Sequence, residues 1–109
     1  MTAIRGGATV GKLKKVLSSQ KKENQLELLN SNNEDVYYVL TACYSLSKEA
    51  VIIKATSNKV EVPVDKLSKA LAVMVDKVPV MIALDGSNEA HDITGYSKID
   101  TTVFLEFKK

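Results

Sequence analysis

The second half of this chain reads as a loose copy of its first half, and that constrains the fold more than any single segment. Val10-Gly-Lys-Leu-Lys-Lys-Val-Leu17 lies over Val64-Asp-Lys-Leu-Ser-Lys-Ala-Leu71 with five of eight residues identical. The same offset sets Leu26 and Leu28 over Val80 and Ile82, then Val39 over Ile93. A two-residue slip brings Val51–Ile53 over Val103–Leu105. Self-similarity is read before local propensity because it sets the unit of construction. The turn-forming runs Asn30–Asn33 and Asp85–Asn88 fall at the same place in both copies.

Each copy reads as helix, strand, strand, strand. After a flexible leader over residues 1–8, with Gly6-Gly7 unfavourable for regular structure, Thr9 is a candidate N-cap. Val10, Leu13, Val16 and Leu17 then share one helix face, opposite Lys12, Lys15 and Lys22, and the helix should end near Gln20 to Lys22. Strands follow at Leu26–Leu28, Val36–Leu46 and Ala50–Lys54. Ser57–Lys59 joins the halves and Val60–Val62 is a short extended lead-in. Pro63 suits a first helical turn and Asp65 complements its positive end. The second helix carries Val64, Leu67, Ala70, Leu71, Met74 and Val78 inward. Strands are then expected at Val80–Leu84, Ala90–Tyr96 and Thr102–Phe107.

One such unit, 9–58 or 59–109, is marginal alone, since it covers only one face of a small sheet. Together the two make a single domain over 1–109: an α+β fold with pseudo-twofold symmetry, both helices packed on a joined antiparallel sheet. The chain of 109 residues supplies a core of Val, Leu, Ile and Ala, with no Trp. Thr9-Val10-Gly11-Lys12-Leu13, and Val64-Asp-Lys-Leu67 followed by Val78-Pro-Val80, resemble the Thr-Val-x-x-Leu modules of small uncharacterised phage and bacterial proteins. This chain departs from that pattern at Pro63, where the module has Thr, and at Gln25-Leu26, where it has Pro-Val. The resemblance implies a helix running into a small antiparallel sheet. It also implies a mobile-element setting, with no activity to transfer; the role expected on that footing is a phage or mobile-element accessory protein that engages and inhibits a host macromolecule, such as a defence system.

The residues argue against catalysis. An enzyme needs an acid, base or nucleophile supported by its neighbours, and the chain has one histidine, His91, and one cysteine, Cys43. Cys43 sits in the apolar run Tyr37–Leu46 and reads as a small buried hydrophobe. A Cys43–His91 pair would require the two middle strands to meet. Asp85, Glu89, His91 and Asp92 are the densest set of possible metal ligands, but they lack calcium-loop spacing, and Asp-Gly with Asn is ordinary turn chemistry. No P-loop spacing surrounds Gly6-Gly7 or Gly11, and no cofactor is implied. A signal peptide and a membrane-length apolar run are both absent from the sequence, which predicts a cytoplasmic location.

Binding remains, and three surfaces compete. Ala70–Val75 is apolar nearly all round, so Val73 and Ala72, beside Lys66 and Lys69, form a candidate protein-docking or self-association surface. Tyr37 and Tyr38, on opposite faces of one strand, are candidate anchors, as are Tyr44 and Tyr96. Lys12, Lys14, Lys15, Lys21 and Lys22, with Arg5 upstream, would suit weak, sequence-independent nucleic-acid binding. No aromatic is interleaved among them to stack bases, and the net charge is only +2. The third surface would hold a small anionic ligand such as a nucleotide at the pseudo-twofold axis. The reading favoured is a non-catalytic protein binder, with a homodimer among its possible partners.

Overall fold

The computed structural model describes residues 2–4 and 6–109. A buried, apolar face on the strands decides the architecture. In β2 (Gln25–Asn30) every second residue is buried, and β7 (Thr102–Phe107) buries Val103, Leu105 and Phe107 likewise. A sheet with one apolar face must cover it. The two helices, α1 (Val10–Ser18) and α2 (Val64–Ala72), have nine residues each, or about 14 Å of length. Six strands side by side span roughly 29 Å, so two such helices cannot blanket them. The sheet covers itself by closing.

β2 pairs antiparallel with β3 (Asp35–Ser45), which pairs antiparallel with β4 (Ala50–Thr56). β5 (Val80–Leu84), β6 (Ala90–Ile99) and β7 form a second antiparallel run. Two parallel seams, β4 with β5 and β2 with β7, join these runs into a closed six-stranded mixed barrel. A two-residue strand, β1 (Thr2–Ala3), adds to β6 within the expected leader. The interior is filled by Leu26, Leu28, Ile53, Ile82, Leu105 and Phe107, all fully buried.

This overturns the expected α+β fold class. No helix-covered antiparallel sheet forms; strands make up 46% of the chain and helices 17%. The internal repeat fails as a structural unit for the same reason. The overlaid apolar positions are buried in both halves, which a single barrel interior already demands. Moreover, the halves are tied across one another. Val80 N–H donates to the Ala8 carbonyl (2.9 Å), while Leu26 N–H donates to the Val62 carbonyl (2.8 Å). Each half thus borders its first strand with backbone from the other.

The helices stand at the barrel end where β2 and β5 begin. Val10 N–H donates to Val78 O and Val64 N–H to Asn24 O, and Val10, Leu13, Leu17, Val64, Leu67 and Leu71 join the barrel core. Thr9 caps α1, its Oγ1 accepting from Lys12 N–H (3.3 Å). α1 ends at Ser18 and α2 at Ala72, both earlier than the apolar spacing predicts. Gly11 is required by close approach. Its N–H donates to Asp76 O (3.0 Å), and a Cβ there would lie 3.1 Å from Asp76 Cβ. Gly11→Val should therefore cost about 1–3 kcal/mol by overpacking, read as a lower thermal midpoint; an unchanged midpoint would mean this contact is slack.

Candidate functional site

An apolar groove lies just past α2. Ala72 ends the helix, Val73 caps it, and two tight turns follow, with Met74 N–H on Leu71 O and Val78 N–H on Val75 O. Those turns send Met74 and Val78 toward the core and leave Val73 89% and Val75 66% exposed. Val51 N–H donates to Pro79 O (2.8 Å), which ties the turn to β4, and Tyr44 pairs with Val51 across the β3–β4 ladder. Tyr44, Val51, Val73, Met74, Val75 and Val78 thus line a groove of about 380 Å³. None of the six is charged. On its rim Lys14 Nζ lies 2.8 Å from Asp76 Oδ1 and bonds Met74 O, strapping α1 to the turn.

Of the residues singled out from sequence, Val73 and Ala72 lie together at this groove, Ala72 exposed beside it. Lys66 and Lys69 are on the exposed side of α2, and Lys69 pairs with Asp65 (3.0 Å). Tyr37 and Tyr38 are elsewhere. Tyr37 is half-buried with its ring 5.9 Å from Phe107, and Tyr38 is half-buried opposite Thr56. Their place in the groove is taken by Tyr44 and by Val75. The apolar run Ala70–Val75 already carried the signal for Val75.

The lysines of the first helix do not form one continuous face. Lys12 and Lys15 are exposed on α1, Lys14 is held by Asp76, and Lys21 and Lys22 lie beyond the helix end. Arg5 lies outside the described residues.

Cys43 is exposed, contrary to expectation. A bulge between Val39 and Thr41 shifts the alternation of β3 by one, so Cys43 sits opposite Ile52 beside an outer cleft. His91 instead packs against the Phe107 ring (6.0 Å between centroids), and its Nε2 is buried without a hydrogen-bond partner. Among the described residues no group of three or more His, Cys, Asp or Glu side chains gathers as a metal site. Nor is any helix long and apolar enough to cross a membrane.

The chain is thus a small closed mixed β-barrel with two short helices and an apolar groove beside the second. No protein-family model, curated protein or solved structure matches this chain. Nothing there bears on the resemblance to phage and bacterial modules, and a phage or inhibitory role has no support from these comparisons or from the fold.

Proposed function

We propose that this protein acts by binding, not by catalysis, and that the Val73 groove receives an apolar anchor from a protein partner. The observation that carries the reading is the exposure of Val73 and Val75 next to Tyr44, in a groove without a charged lining residue. Exposed valines gain nothing for the isolated chain, whereas an aliphatic or aromatic anchor would remove both from water at roughly 25 cal/mol per Å² of apolar area. Tyr beside such a pocket adds a rigid, amphipathic wall of the kind enriched where binding energy concentrates.

Val73→Asp tests it. Because Val73 has almost no packing to lose, folding stability should change by less than about 0.5 kcal/mol. Partners captured by the tagged wild-type protein from nuclease-treated lysate should be lost with the variant. If capture survives Val73→Asp but fails with Lys12→Glu/Lys15→Glu, the lysine-helix reading replaces the groove. If Val73→Asp unfolds the chain, the valine belongs to the core.

A further inference from the structure

β3 and β6 each change neighbours midway, and among the described residues only one of the two resulting edges is paired with another strand. β6 pairs with β5 through Asp92, bulges between Ile93 and Gly95, and continues along β7. The edge it frees on the β5 side is taken by β1, antiparallel, with Thr2 opposite Tyr96 and Ile4 N–H donating to Thr94 O (2.9 Å). β3 pairs with β2 through Tyr37, bulges between Val39 and Thr41, and continues along β4 to Ser45. Among the described residues no strand pairs with the edge it frees, over Leu40–Ser45.

That run, Leu-Thr-Ala-Cys-Tyr-Ser, has no charge, proline or glycine. Strand edges left open in native proteins normally carry lysine, proline or another device that repels a further strand. Here the flanking side chains invite one instead: Leu40 is 43%, Tyr44 49% and Leu46 84% exposed. The occupant has to bring unpaired backbone donors and acceptors of its own. Another copy of the same edge does so with matching length and chemistry. Charge selects the orientation. Glu34 and Asp35 precede the run, and Lys48 and Glu49 follow it. Parallel copies would set the acidic pair against itself, while antiparallel copies set it toward the end that carries Lys48.

We propose that a second copy of this chain pairs antiparallel with β3 along Leu40–Ser45, giving a twofold dimer whose sheet runs from one barrel into the other. The axis then passes between Cys43 and its copy, and Thr41 of one copy faces Ser45 of the other. Tyr44 stands about 3 Å along the strand from that axis, so the two Val73 grooves flank it and form one composite surface. A six-residue edge alone is small against the roughly 1,200–2,000 Å² of a stable interface. The exposed Leu40, Tyr44 and Leu46 must therefore contribute, and the dimer should depend on concentration.

Sedimentation of the full chain from about 1 μM to about 1 mM, the range a small interface calls for, should show a species of twice the 11.9 kDa chain mass. Leu40→Lys, at an exposed position, should weaken association at least about tenfold while the far-UV spectrum and melting stay unchanged. Diamide, which takes up two electrons and two protons from a pair of thiols, should link the single Cys43 of each copy in the wild type and far less in Leu40→Lys. A monomer at every concentration overturns the proposal. So does a dimer that persists in Leu40→Lys, or one lost only with Val73→Asp, which would place self-association in the groove.

Discussion

Phe107→Ala is expected to lower folding stability by about 3–5 kcal/mol, a large share of the roughly 5–15 kcal/mol that holds a small domain together. Phe107 has no solvent exposure and fills the barrel end away from the helices, where its ring meets Tyr37 and His91. Its backbone is held on both sides, opposite Asn30 of β2 and Ile93 of β6, and its carbonyl accepts from Ser31 N–H (2.8 Å). The strands cannot collapse into the space, so lost contacts and a residual cavity both count. Urea unfolding followed by circular dichroism should show a lower midpoint with an unchanged slope. Phe104→Ala, on the outer and half-exposed side of the same strand, should cost less than half as much. Equal costs would mean that β7 does not present alternate residues to a closed interior.

Leu105→Pro should prevent folding altogether. Leu105 lies between Leu28 of β2 and Tyr96 of β6, so β7 has no free edge on which a missing N–H would go unnoticed. Proline removes a ladder bond and leaves a buried acceptor unpaired, about 1–3 kcal/mol by itself. Loss of the fully buried leucine side chain adds about 2–5 kcal/mol. The expected result is insoluble or unstructured protein, checked by solubility and by loss of the strand signal. A folded, soluble Leu105→Pro chain would show that β7 is an edge strand and that the barrel is open.

Much of the local structure was legible because it depends on neighbours in the chain. Val80–Leu84 and Thr102–Phe107 are strands with the bounds their apolar patterns indicate, and Thr9 caps α1. Closure was not legible. The parallel pairing of Gln25–Asn30 with Thr102–Phe107 leaves no periodic trace, because a strand buried on one face alternates in the same way in a sandwich and in a barrel. The overlay of the two halves reinforced the error, since it suggested two separate units where the backbone ties are mutual. The exposure of Val73 was legible from the apolar run around it and from its place on the side of Lys66 and Lys69. Tyr44 displaced Tyr37 and Tyr38 from the site because the bulge after Val39 re-aims the later half of β3, and the same bulge brought Cys43 to the surface. An extra residue in a strand has no signature in composition.

The seam between β2 and β7 also governs how the chain reaches its fold. Gln25 and Thr102, which begin that pairing, are 77 positions apart in sequence. Contacts of such long range are made late, after the loop between them has been ordered by nearer ones. The β2–β3–β4 and β5–β6 hairpins can form before β7 docks between β2 and β6, but the barrel cannot shut without it. Until then β2 and β6 both face water with open edges, and the Leu40–Ser45 edge, with no strand paired to it among the described residues, makes a third. The folding chain therefore passes through a state richer in unpaired strands than the finished molecule, so its yield should depend more on how quickly β7 docks than on how stable the closed barrel becomes.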